Sequence, residues 1–516
     1  MNQTLFQKTR GIVLLAVVVI AALFYGLGNV PLFDEDEGAY AEVTLEMLHS
    51  GDFVTPRLGG EPFFHKPPLL YWAQAVCVSQ LGPSELAFRL PSALAAVAWV
   101  LLLFLFVRHR MDQETAAFAV FFLVSAIQLN VVIRAGIADA LLDLFITMTM
   151  FAVFAYSEKP RRRYIIAAFA GMALGFMTKG PIAIAIPVVV SFLYYLCQRN
   201  LKTWLRGAFH PLGWGVFLII ALPWYVALSR NFGWLFVREL FLVHNIGRFR
   251  NAMEGHSGPF FYYVPVILLG LLPFTTILIR GLAHSKEQIK SPWTRFLLIW
   301  FGFVFIFFSI ADTKLQHYII YGYVPLLIMM GQQVSHLKNR WLLVLPALLF
   351  LVPVLFLKQA AIWALPHIGD QFTRIVVQSS LASVGTAHQI FVGLILVGVL
   401  ATAAVPRISM QWRSLVLGCL FLVLTTGHLV PLAGDIMQAP VKTAALMAKA
   451  RNYDVVMWQM NYPSFHVYYG KPALRKRILT PGDIIITKAD KLESIKKHEI
   501  IYEQHGIVLT RIVQYH

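Results

Sequence analysis

Long apolar stretches recur along most of the chain, broken by short polar turns. A stretch of ~20 apolar residues crosses ~30 Å of hydrocarbon as a helix, and in lipid only helices and closed barrels satisfy their own backbone. Barrel-like alternation of polar and apolar positions is absent. The pattern predicts thirteen transmembrane helices, near 11 to 29, 91 to 107, 115 to 133, 139 to 156, 164 to 178, 181 to 197, 210 to 229, 260 to 280, 296 to 311, 318 to 334, 341 to 357, 390 to 405 and 413 to 431. The first follows Lys8 and Arg10 but runs on without a small-residue cleavage site, so it reads as a retained helix and not a signal peptide. From about residue 436 the pattern changes. Strand-like runs at Asp454 to Trp458, Phe465 to Tyr469, Asp483 to Thr487 and Ile507 to Ile512 are separated by turn signals such as Tyr462-Pro463 and Pro481-Gly482, and Lys491 to Lys497 reads as a short helix. The expected fold class is an all-α polytopic membrane protein with a small C-terminal α/β domain, divided as residues 1–435 and 436–516.

Composition agrees with this. Hydrophobic residues make up 58% of the chain and charged residues 13%, roughly half the ~25% of a soluble domain. The net charge of +17 then changes the picture only through its placement. Short loops rich in Lys and Arg stay cytoplasmic. Arg108 and Arg110, Lys159 to Arg163, Arg199 to Arg206, Lys286 and Lys290, Lys338 and Arg340, and Arg407 and Arg413 occupy alternate loops with Lys8 and Arg10. The charge is a topology signal and not a nucleic-acid footprint. The other loops face the periplasm: 30–90, the turns at Arg134 and Lys179, 230–259, Asp312 to His317, and everything after 431. Only a Thr-Lys-Gly-Pro turn separates the fifth and sixth helices, and were they one broken helix every later loop would invert. Cys77, Cys197 and Cys419 lie in or beside apolar segments and read as small buried hydrophobes, with neither a disulfide framework nor metal spacing.

The periplasmic set holds the candidate chemistry. Asp34-Glu35-Asp36-Glu37 follows the first helix directly; four carboxylates at a membrane boundary repel one another and need a cation, metal or substrate, although a solvated acidic loop has the same composition. Phe63-Phe64-His65-Lys66-Pro67-Pro68 places a potential metal ligand beside a potential phosphate ligand on a proline-stiffened backbone, where an interfacial anchor would look similar. Arg134 precedes Asp139 and Asp143 at the outer start of the fourth helix, and the simplest alternative to a site is an Arg134–Asp139 pair. His244, Arg248 and His256 share one outer loop; with His65 they could complete a divalent-metal site, while a lone histidine is more often structural. Lys314, in Asp312-Thr-Lys-Leu-Gln-His317, adds another phosphate ligand on that side.

Together, Asp36 to Glu42, Phe64 to Leu69, Arg134 to Asp139, His244 to Phe249 and Lys314 to Tyr318 resemble the bacterial glycosyltransferases of the GT-C fold, in the branch of the lipid A aminoarabinose transferases and relatives of the protein O-mannosyltransferases. The resemblance covers roughly residues 10 to 335 in order. It implies transfer of a sugar, with inversion, from a polyprenyl-phosphate (undecaprenyl-phosphate) donor to a periplasmic acceptor such as lipid A, another glycan or a protein, in the bacterial inner membrane. It implies catalytic carboxylates at Asp36, with Glu37 beside it, and at Asp139. A donor-phosphate contact falls on Lys66, to which the loops add Arg248, Lys314, Tyr40 and Arg134 as candidates, and metal positions fall on His65, His244 and His256. The expected cofactor is at most a divalent ion (Zn²⁺ or Mn²⁺/Mg²⁺), with no nucleotide; the expected partners are donor, acceptor and membrane lipids, with no nucleic acid, for a monomer. The aminoarabinose pattern has Glu before the lysine and Arg shortly after the Asp-Glu pair, where this chain has His65 and Ala39, and Gln316 stands where relatives commonly have proline. The donor sugar stays open. A flippase-like binder of polyprenyl lipids would use the same groove without catalysis. A secondary transporter would instead set its ionisable groups near the midplane.

Overall fold

The computed structural model describes residues 5–7, 9–247, 257–474 and 478–514. Every segment predicted to span is helical. They comprise α1 (Thr9–Phe24), α4 (Glu85–Arg110), α5 (Gln113–Ser125) with α6 (Ile127–Arg134), α7 (Asp139–Glu158), α8 (Arg162–Lys179), α9 (Ile182–Cys197), α11 (Pro211–Val237), α12 (Tyr263–Gly270) with α13 (Thr275–Glu287), α14 (Pro292–Ile310), α15 (Tyr323–Gly331), α16 (Arg340–Leu355), α19 (Thr386–Ala404) and α20 (Met410–Leu424). Shorter helices lie between them: α2 (Asp36–Ser50), α3 (Leu69–Leu81), α10 (Leu201–Ala208), α17 (Leu357–Ala364), α18 (Gln371–Ser380) and α21 (Val430–Met437). Among the described residues six helices are long and apolar enough to cross a membrane, nine when each sharply bent pair counts as one span.

The bends depart from straight spans for identifiable reasons. The α12–α13 pair turns by 120° at Leu272-Pro273, where proline has no N–H to continue the ladder. The α5–α6 pair turns by 71° at Ala126, which is extended. The turn between α8 and α9 is a true reversal. A Cβ built on Gly175 would lie 2.8 Å from the Ala183 Cβ, whereas eight residues of straight helix would separate them by about 12 Å. They are therefore two helices.

The interior is aromatic: Trp99, Phe118, Phe121, Phe122 and Trp300 are fully buried in one continuous core. The outside is equally apolar, with Ile219 77% and Leu349 68% exposed. A bundle apolar on both sides is solvated by lipid; this is a membrane protein with multiple apolar helices.

Over one end lies a small mixed layer. Its sheet has the order β3 (Val455–Met457), β4 (Ile484–Lys488), β6 (Ile507–Gln514), β5 (Lys497–Gln504), parallel between β3 and β4 and antiparallel elsewhere. Helices α22 (Ala439–Ala450) and α23 (Pro463–Tyr469) pack on it through Val441, Ala445, Phe465 and Ile486. Two sequence expectations change here. Phe465 to Tyr469 is helical, because Pro463 opens and Gly470, at φ 84°, closes one helical segment. The expected helix at Lys491 to Lys497 is a 3₁₀ turn over Ala489–Ser494 leading into strand β5. A two-strand ribbon, β1 (Arg57–Leu58) and β2 (Glu61–Pro62), turns the long first loop back toward α2.

Candidate active site

Helix α2 starts four residues after buried Leu32, with Asp36 and Glu37 in its first turn, where carboxylates suit the positive end of a helix. The two diverge completely. Asp36 is exposed. Glu37 is 4% exposed and receives the Arg89 guanidinium in a fork, Nε to Oε1 at 2.8 Å and NH2 to Oε2 at 2.7 Å. The amides of Gly136 and Phe33 also donate to it, at 2.5 and 2.9 Å. Burial pushes this carboxyl up, but Arg89 and the two amides outweigh it and hold it below its ordinary value. With both oxygens occupied, Glu37 fastens the loop to the bundle, and of the two carboxylates only Asp36 is exposed. Arg89, which also caps the carbonyls of Leu27, Val30 and Pro31, was not singled out in the sequence. An arginine inside an apolar helix was the available signal.

Asp36 opens into a cavity of about 880 Å³. Tyr40, His65, Lys66 and Lys314 line it too, so loops far apart in sequence converge as expected, and the cavity also takes in Lys179 and His317. Lys66 is half-buried. Lys314 is 5% exposed and donates to the carbonyls of Ser309 and Ala311 at 3.2 and 2.5 Å. Burial pushes the His317 imidazole down to about 4, reinforced by Lys179 and Lys66 and opposed by Asp139 and Asp36. It is neutral at ordinary pH.

Asp139 is 2% exposed and does not pair with Arg134. Its Oδ1 accepts from Lys179 Nζ at 2.7 Å and from the Tyr321 hydroxyl at 2.7 Å, and Lys179 reaches the same hydroxyl at 2.8 Å. Asp139 thus adjoins the cavity through Lys179, which lines it. The Thr-Lys-Gly-Pro turn was legible as an outer turn; its lysine as the partner of Asp139 was not, because the two are 40 residues apart. Arg134 donates to the Tyr25 carbonyl and borders a small pocket beside Glu37 and Arg89, which shares Phe33, Glu37, Val131 and Ala135 with the larger cavity.

Of the metal candidates, the His65 ring stacks on Phe63 at 4.1 Å. His244 lies in a π-helical segment, Arg238–Gly247, with its side chain outside the description, and Arg248 and His256 lie outside the described residues. Among the described residues no three His, Cys, Asp or Glu side chains form a group fit to hold an ion.

A family model described as dolichyl-phosphate-mannose-protein mannosyltransferase matches residues 65–226. A Pectobacterium carotovorum subsp. carotovorum protein named undecaprenyl phosphate-alpha-4-amino-4-deoxy-L-arabinose arabinosyl transferase is 30% identical over 447 residues, 82% of this chain and 77% of the relative. An Aeromonas hydrophila protein of that name is 34% identical over 334 residues, 60% of this chain and 59% of its own. The chain spans about three fifths of the length of such relatives, 62% for the one from Aeromonas salmonicida. ArnT from Cupriavidus metallidurans, solved with undecaprenyl phosphate, has a TM-score of 0.79 at 21% identity, with 98% of each chain covered. The Archaeoglobus fulgidus oligosaccharyltransferase AglB gives 0.51 at 13%, over 92% of this chain and 65% of that one. The fold is therefore that of the polytopic GT-C class. Within it, the chain belongs to the family of the undecaprenyl phosphate-alpha-4-amino-4-deoxy-L-arabinose arabinosyl transferases.

Proposed function

We propose that the protein is an inner-membrane glycosyltransferase that moves a sugar from an undecaprenyl-phosphate donor to an acceptor at the periplasmic face, with inversion. The observation that carries this is the pairing, in one cavity, of an exposed carboxylate, Asp36, with the cations Lys66, Lys179 and Lys314. Kinship with proteins named for an undecaprenyl-phosphate donor supports the donor class. As the acceptor oxygen bonds to the anomeric carbon, the bond from that carbon to the phosphate oxygen breaks and the polyprenyl phosphate leaves as an anion, whose charge the lysines neutralise without a nucleotide. Asp36 takes the proton of an acceptor hydroxyl or, if the acceptor is itself a phosphate, orients it. Lipid A, another glycan and protein all present such groups. In this reading residues 1–435 form the transferase bundle and 436–516 a periplasmic domain, and the enzyme works as a monomer.

The test is transfer by the purified full chain in nanodiscs, offered a panel of polyprenyl-phosphate sugars and acceptors. Wild-type protein should transfer one of them, and Asp36→Asn should keep its fold and bind donor while transfer falls by ~10² or more. Donor binding without turnover in the wild type identifies a lipid binder and overturns the proposal. A divalent ion at His65 with His244 or His256 has its own arm. If one takes part, chelation lowers activity, Zn²⁺ or Mn²⁺ restores it, and His65→Ala responds to neither; full activity of metal-free protein removes the ion and leaves the phosphate to the lysines.

A further inference from the structure

The acidic helix α2 is gripped by the far end of the chain. Asp34 Oδ1 accepts the Ser464 amide proton at 2.9 Å and Oδ2 accepts the Ser464 hydroxyl. Eight residues on, Glu42 Oε1 bonds His466 Nδ1 at 2.6 Å, with both side chains 5% exposed. The Leu32 amide donates to the Tyr468 hydroxyl at 2.7 Å, and that hydroxyl donates to Glu85 at 3.0 Å. The backbones touch as well. A Cβ on Gly38 would lie 2.6 Å from the Ser464 nitrogen, so only glycine permits this approach. Asn461 and Pro463, at the entry to α23, line the same cavity as Asp36.

An apolar face alone would let α2 rotate or slide, whereas buried hydrogen bonds are directional and fix one register. Asp34 and Glu42 bracket the first two turns of α2, so these two grips, with the Glu37–Arg89 fork on the bundle side, set its rotation about its own axis. Asp36 sits between them, exposed in the cavity with its direction set by that rotation. A displacement of ~1 Å at a reacting group costs ~10² in rate.

We propose that Ser464 and His466 are positioning residues for the reaction: helix α23 orients α2 and thereby aims Asp36. The inference rests on the transferase reading above. It is tested in the full chain in nanodiscs with the double variant Ser464→Ala/His466→Leu, and with Ser464→Thr and His466→Asn, which keep a hydroxyl and an N–H donor in place. A nitroxide on a cysteine replacing exposed Glu35, in a background lacking Cys77, Cys197 and Cys419, reports the order of the start of α2 whether or not sugar is transferred. The double variant should lose about ten-fold or more in kcat, with donor KM unchanged and the nitroxide more mobile; the conservative variants should restore both. Wild-type kcat and an unchanged spectrum overturn the inference, as does a loss confined to KM. If the double variant does not fold, Ser464→Ala alone, which keeps the amide grip, is read by the same two measures. If the wild type transfers no sugar, the transferase reading fails, and the spectrum alone decides whether α23 orders α2.

Discussion

Asp34 and Asp36, two residues apart, lead opposite lives. Burial, outweighing the Ser464 hydrogen bonds and reinforced by Glu35 and Glu42, pushes Asp34 up to about 7. Its folded-state value lies above its unfolded value of 3.8, so the stability it contributes is fully present below about 4 and is lost as pH rises through about 7. The α2–α23 contact should loosen as pH rises from about 4 to about 7. Hydrogen exchange of the 460–470 backbone, corrected for intrinsic rate, should show falling protection over that window, and Asp34→Asn should abolish the dependence. Lys66→Ala should weaken donor binding by about 1.5–3 kcal/mol, the value of a charge-assisted hydrogen bond to phosphate, with little change in melting temperature. Glu37→Gln should do the reverse. It leaves the Arg89 charge buried without its counter-ion, at a cost of about 3–5 kcal/mol. Thermal unfolding should register that loss first; a fully stable Glu37→Gln protein that has lost only transfer would return Glu37 to the reacting groups. The carboxylates were visible as a cluster in the sequence, but which was exposed was not, since Arg89, Gly136 and Ser464 decide it from distant segments.

At the level of elements, every segment that hydropathy marked as a span is helical, because the lipid imposes one rule on all of them, although six to nine of the described helices, and not thirteen, are long and apolar enough to cross. Hydropathy could not show the bends at Ala126 and Leu272, which come from packing and proline and leave it unchanged. The short elements over the cavity misled for a different reason. Phe-His-Val-Tyr-Tyr carries β-formers, and tertiary contact with α2 together with Pro463 and Gly470 overrides them. Strand β5 is charged and largely exposed because it is the sheet edge, so its sequence lacks an apolar face. The reversal between α8 and α9 keeps the alternation of cationic loops consistent. Cysteine-accessibility labelling should place positions 162 and 338 in the cytoplasm and positions in the 436–516 region in the periplasm. A C-terminal region found inside the cell would break the common face on which the cavity residues are placed.

For the whole molecule, the order of motifs along the sequence already pointed to the GT-C class, and the match over 98% of ArnT shows that the resemblance extends through the C-terminal layer. The role of that layer could not be read from sequence, because its hold on α2 joins residues 430 positions apart. The same separation sets a clock on biosynthesis. At ~5–20 residues per second, Asp34 waits roughly 20 to 90 s between its own synthesis and that of Ser464. Through that interval every bundle helix can enter the membrane while the acidic helix stands without its clamp. A chain stopped at residue 450 should therefore insert normally, as protease protection would show, and yet transfer no sugar. The enzyme would become competent only when its last segment arrives, so an interrupted or half-exported copy stays silent in the membrane.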